Sequence, residues 1–172
     1  AGIATFRSDV NVPNINGGQI GGRRNVIING AMQVSQRGTS FSQVANNDIT
    51  LDRFGLVHPY STNFDVSQST TAPDGFSKSY KLDINVVDSS IGSGQYVAIR
   101  HRIEAQNLQH LAFGTSAAKT ITLSFYVRSN KTGTFAVNIQ QVDNSYKQVS
   151  ASYTISSANT WERKTFTFAG DT

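Results

Sequence analysis

Strict alternation of apolar and polar residues, repeated along the chain from residue 78 onward, limits the folds open to it more than any other feature. In residues 78–86, Tyr80, Leu82, Ile84 and Val86 share one face, with Ser79, Lys81, Asp83 and Asn85 on the other. Residues 95–103 set Val97, Ile99, His101 and Ile103 against Tyr96, Ala98, Arg100 and Arg102. Residues 120–128 turn Ile121, Leu123, Phe125 and Val127 inward, and residues 134–142 do the same with Phe135, Val137 and Ile139. Val149, Ala151, Tyr153 and Ile155 continue the pattern over 147–155, and Phe166 and Phe168 fall in phase over 161–168. A period of two marks a strand with one wet face. Only residues 104–111, with Leu108 and Leu111 three apart, suit a helical turn or two.

Turn chemistry divides these stretches. TAPDG at 71–75, Gly92 and Gly94, SNKTG at 129–133 and Asp143-Asn144-Ser145 all favour chain reversal. The spacing predicts that 120–128 and 134–142 form a hairpin closed by 129–133. Upstream, residues 51–57 (LDRFGLV) predict a strand that stops at His58-Pro59, because proline has no N–H to continue a ladder. Residues 64–69 predict another. Residues 25–34 predict the first strand of the domain, turning at Asn29-Gly30, with a polar loop over 38–50 anchored by Phe41 and Val44. Many short strands and no long amphipathic helix predict an all-β chain, an antiparallel β-sandwich over 25–172. Residues 1–24 are broken by Pro13 and by the pairs Gly17-Gly18 and Gly21-Gly22, and predict an extended stem or linker. Ile3, Phe6 and Val10 in that stem, and Arg37 beyond it, are the expected contacts with other copies of the chain.

Composition narrows the function classes. The 172 residues suffice for one domain with a sizeable core. The net charge is +4, but the basic residues are scattered, so no run exists to neutralise many phosphates, and a dedicated nucleic-acid binder is not expected. Cysteine is absent, which excludes disulfides, thiolate zinc sites and a cysteine nucleophile. The first residues lack the basic-then-apolar pattern of a signal peptide. No apolar run approaches the ~20 residues that span a bilayer.

Candidate chemistry is sparse. No pair of carboxylates sits at a spacing that imposes a shared acid–base site, and no nucleophile elbow, H-x-x-x-H or phosphate-binding glycine loop occurs. His58, His101 and His110 fall on different segments, and His101 has the phase of a core histidine. The expectation is a protein that is not an enzyme and that uses no cofactor. Tyr96, Tyr126 and Tyr146 have outward phase or loop positions, and are the candidates for stacking on a carbohydrate. Trp161 is expected to pack at the margin of the sandwich.

Three segments resemble the carbohydrate-binding-module-like (galactose-binding-like) jelly roll. They are Asn25-Val26-Ile27-Ile28-Asn29-Gly30, the strand Thr122-Leu123-Ser124-Phe125-Tyr126-Val127-Arg128, and Thr160-Trp161 followed by Phe166-Thr167-Phe168. More specifically, residues 25–40 followed by Leu51-Asp52-Arg53-Phe54 resemble a domain of bacteriophage structural proteins, tail fibres above all, and residues 1–12 resemble the short β-repeats that precede it. The resemblance implies a jelly-roll domain over 25–172 that lacks its last strands, and a virion component that forms a homo-oligomer, with three copies favoured. Other virion proteins and a host-surface glycan would be its partners. Jelly rolls of this kind often hold a structural calcium, for which Asp52 and Asp83 are possible oxygen donors; no metal site is assigned. A carbohydrate-binding module of a secreted enzyme, or a capsid fibre or decoration protein, are the alternatives.

Overall fold

The computed structural model describes residues 14–15, 18–19, 25–59 and 63–172. Strands β1 (Asn14–Ile15) and β2 (Gly18–Gln19) come first. They are followed by β3 (Ser40–Phe41), β4 (Phe54–Val57), β5 (Phe64–Ser69), β6 (Ser79–Ile84) and β7 (Ala98–His101). Two 3₁₀ turns, Ala105–Asn107 and Gln109–Leu111, occupy the segment expected to be helical. Strands β8 (Ile121–Val127), β9 (Gly133–Gln141), β10 (Lys147–Ile155) and β11 (Glu162–Phe168) complete the order. The chain is all-β, and every strand pairing described is antiparallel.

The first core forms around β5, which lies between β3 and β6 in a three-stranded sheet. Phe64 and Val66, both on β5, join Val44 and Leu56 in a buried cluster that Phe41, Tyr80, Leu82 and Val97 flank. Burying such side chains contributes about 1.5–3 kcal/mol each before entropy costs. The expected loop anchors Phe41 and Val44 are therefore part of the core. Strand β4 pairs with β7 and is buried along its whole length. Its Gly55 is required by close approach: a Cβ there would stand 2.9 Å from the carbonyl oxygen of Asp48. That oxygen also accepts the Leu56 N–H at 3.0 Å, so the backbone has no room to retreat.

Three local expectations are corrected. Residues 25–34 do not form a strand; Met32 N–H bonds the Asn29 carbonyl at 2.9 Å in a turn, with φ of 60° at Asn29 and 54° at Met32. The Asn29 side chain takes over the bonding that a strand partner would have supplied. Only residues 54–57 of the 51–57 stretch are strand, because Arg53 has φ of 72°. Finally, Ile84, Val86 and Ile99 are not buried: they are 59%, 49% and 49% exposed, although Ile84 and Ile99 lie on the same sheet faces as their buried partners Phe64 and Leu56. Ile84 is the last paired residue of β6, so the apolar row is covered at its Tyr80–Leu82 end and open where the sheet stops.

The predicted hairpin of 120–128 with 134–142 is also replaced. Strand β8 pairs with β11, and β9 pairs with β10. The two resulting sheets meet through their apolar faces, with Phe125 edge-on to Tyr153 at 5.4 Å and Tyr153 edge-on to Phe166 at 6.2 Å. Residues 129–133 thus carry the chain between layers, which lets the aromatic rows of both sheets cover each other. The crossing is fixed by Asn159 N–H to Ser129 O at 2.7 Å and Arg128 Nε–H to Asn159 O at 2.8 Å. Ile155 and Phe168 are the most deeply buried side chains of this second core, at 1% and 5% exposure.

Candidate functional site

Two arrangements gather the residues singled out by sequence, and they differ in kind. The first is a clamp built on Asn29 and Asp52. Asn29 Nδ2 donates to Val34 O and to Asp52 O, each at 2.9 Å, while its Oδ1 accepts the Val34 N–H at 2.9 Å. Asp52 Oδ2 in turn accepts the Gln36 N–H at 2.7 Å. The neighbouring Arg53 donates to Arg102 O at 3.1 Å and to Glu104 Oε1 at 2.5 Å, and this bond holds the Glu104 carboxyl below its ordinary pKa. Segments 29–36, 52–53 and 102–104 are thereby tied into one unit. Its polar groups are spent on one another, so its role is architectural.

His101 belongs to the same unit, as its inward phase predicted. Its Nε2 lies 3.2 Å from both the N and the O of Ile28, and its ring stands edge-on to Phe54 at 4.9 Å. Nδ1 is buried with no hydrogen-bond partner. Burial lowers the His101 pKa from 6.5, reinforced by Arg53 and opposed by the Ile28 carbonyl and Glu104. A charged imidazole would carry a buried N–H at Nδ1 with no acceptor, so the folded state prefers the neutral ring. The unfolded chain takes up the proton first as pH falls below 6.5, and stability falls with it. Urea unfolding midpoints should therefore drop as the pH falls below 6.5, and His101→Gln should flatten that slope.

The second arrangement is a surface on the outward side of β8 and β11. Tyr126 is 41% exposed there and meets Phe76, 44% exposed, edge to face with ring centroids 5.8 Å apart. Phe76 is delivered by the turn at 73–76, closed by Phe76 N–H to Pro73 O at 3.0 Å. Arg163 sits directly across from Tyr126 in β11, and its Nη2 donates to Ser124 Oγ at 3.2 Å. Thr122 and Thr167 share a hydroxyl bond of 3.2 Å further along the same face. Aromatic faces beside a guanidinium and hydroxyls can stack on an apolar ring face and hydrogen-bond its rim.

The other candidates are dispersed. Tyr96, 53% exposed, precedes β7, and Tyr146, 65% exposed, sits in the β9–β10 turn with φ of 58°. Among the described residues no ring contact joins either to another aromatic side chain. Phe76 was missed by sequence reasoning because it lies outside the alternation, immediately after a turn. Trp161 is half-buried, with its Nε1 buried and unpartnered. Asp52 accepts the Gln36 N–H, and Asp83 pairs with Lys81 at 2.8 Å on β6. Among the described residues no group of three or more His, Asp or Glu stands in metal-binding proximity. Arg37 is exposed, and Ile3, Phe6 and Val10 lie outside the described residues.

A cleft of about 130 Å³ opens between the two C-terminal sheets, beside Ile121, Ile139 and Phe168. At its rim Asp171 accepts from Lys147 Nζ and, at 3.0 Å, from Gln141 Nε2, which keeps its carboxyl below the ordinary value. No family model matches this chain, and neither a curated protein nor a solved structure matches it.

Proposed function

We propose that this chain is a non-enzymatic structural protein of a virion, a bacteriophage tail-fibre segment in which a stem (residues 1–24) carries a jelly-roll β-sandwich (residues 25–172). The Asn29–Asp52 clamp carries this reading. The two motifs that carry the phage resemblance, 25–40 and 51–54, are separated by residues 41–50, and a direct hydrogen bond from Asn29 to Asp52 makes them one structural unit. Two antiparallel layers facing each other across Phe125, Tyr153 and Phe166 also suit a sandwich. In this reading several copies, three being the expected number, assemble with other virion proteins through the stem and Arg37. The exposed Phe76–Tyr126 pair then contributes to host attachment by stacking on a surface glycan.

A chain-specific antibody applied to intact particles tests the assignment by electron microscopy. Label on a tail appendage is the expected result, label on the capsid surface moves the chain to a capsid fibre or decoration, and unlabelled particles overturn the virion reading. The ring pair favours a second reading as well, a sugar-binding module of a secreted enzyme. On a glycan array, Tyr126→Ala and Phe76→Ala should each weaken binding about tenfold, the equivalent of about 1.4 kcal/mol, while Tyr96→Ala and Tyr146→Ala leave it unchanged. Strong glycan binding by a chain that no particle carries would favour the module.

A further inference from the structure

The β9–β10 hairpin is the longest paired element in the fold, nine residues on each strand in continuous register, without a bulge or a proline. Among the described residues its two strands have only each other as partners. Among the described residues, no backbone group between Thr134 and Gln140 bonds outside that pair. A free edge of this length offers a row of N–H and C=O groups to any other strand, and folded proteins ordinarily blunt such edges. Apart from β10, whose only charge is Lys147 at its start, the other edge strands show the usual devices. β3 has two residues, β4 and β7 have four each, β6 carries Lys81 and Asp83, and β11 carries Glu162, Arg163 and Lys164. β8 is uncharged, but Phe76 packs on it at Tyr126. β9 (GTFAVNIQQ) has no charge and no proline, and among the described residues no strand but β10 pairs with it.

We propose that the outer edge of β9 pairs antiparallel with the same edge of a second copy of this chain, about a twofold axis through Val137. This is the register that uses the full length of the strand. It sets Phe135 beside Ile139 of the other copy and Val137 beside itself, with Ala136 opposite Asn138 and Thr134 opposite Gln140. Apolar residues meet apolar ones on the face that looks toward β8 and β11, and small or amide side chains meet on the wet face. No like charges are brought together. The pairing also extends the row over Phe135, which is 39% exposed in the single chain. The β10 edge fits a twofold less well, since full overlap there would set Lys147 opposite Ile155, which is already buried at 1% exposure. The pairing does not depend on the fibre reading.

The test is sedimentation equilibrium of the full chain beside the double variant Ala136→Lys, Asn138→Lys. Both positions are exposed on the wet face, so the hairpin tolerates the lysines, while in the paired state each faces its counterpart across the axis. The particle mass should halve in the variant with an unchanged circular dichroism spectrum. Equal masses for the two proteins would overturn the pairing, and an association driven by the stem would show itself in that way. Should the variant lose its fold, Val137→Cys decides the matter, since the chain has no cysteine of its own. Mild oxidation should then yield a covalent dimer on a denaturing gel, and monomer alone would overturn the proposal.

Discussion

Replacing Asn29 by alanine is expected to lower the unfolding free energy by about 3 kcal/mol, close to the largest single loss available outside the hydrophobic core. The side chain makes three hydrogen bonds, two donated from Nδ2 and one accepted at Oδ1, and all have good lengths. Each such bond contributes about 0.5–1.5 kcal/mol net, and the part-buried Asp52 carbonyl left unsatisfied costs more than its bond was worth, while water can replace the partner at exposed Val34. The backbone adds a second cost. Asn29 has φ of 60°, a conformation that asparagine and glycine adopt more readily than alanine. Asn29→Gly separates the two effects, since it relieves the backbone but restores none of the bonds; it should recover about 1 kcal/mol relative to the alanine variant. Asn29→Asp keeps the acceptor for Val34 N–H but turns a carboxylate toward the carbonyls of Val34 and Asp52, and should be as damaging as alanine at neutral pH. Urea titration of the three variants measures all of this. An alanine variant within about 0.5 kcal/mol of wild type, the range of ordinary surface substitutions, would mean that the clamp contributes nothing.

The Asn29–Asp52 clamp also marks where sequence reasoning works and where it stops. Alternation located β6, β7, β8, β9, β10 and β11 to within a few residues, because a half-buried strand writes its two faces directly into the sequence. It could not say which strands pair. Strands β8 and β9 look like a hairpin because both alternate and a short turn joins them. The partner was decided instead by the aromatic row of Phe125, Phe166 and Tyr153, which is covered only when the chain crosses to another layer. The opening stretch was misread for a related reason. Apolar residues before Asn29-Gly30 resemble a strand entering a turn, yet the bonding is done by one side chain reaching a residue 23 positions away. The candidate surface was legible at Tyr126 and not at Phe76, since a residue just past a turn has no phase from which its direction can be deduced.

Strand β5 was legible as a strand over 64–69 but not as a central one, and it sets up the second large effect. Its sequence, FDVSQS, has only two apolar residues, yet it is the central strand of its sheet. Position in the sheet, with a partner on each side, buries Phe64 to 1% and Val66 to 0% exposure. Phe64 packs its ring against His58 at 4.7 Å, and its carbonyl accepts the Val44 N–H at 2.8 Å, so one residue holds both the strand and the loop that crosses it. Phe64→Ala is expected to cost about 4 kcal/mol, the transfer term plus the cavity left among Val44, Leu56 and Val66. Phe64→Leu, which refills most of that space, should cost about 1.5 kcal/mol. The second core contains none of the side chains that form the first, so the loss should be uneven. Native-state hydrogen exchange should speed up at the amides of β5 and β6 and at Val44 in the alanine variant, while those of β9 and β10 keep their wild-type protection. Equal acceleration in both halves would show instead that the chain unfolds as a single cooperative unit, with the Phe76–Tyr126 contact coupling its two cores.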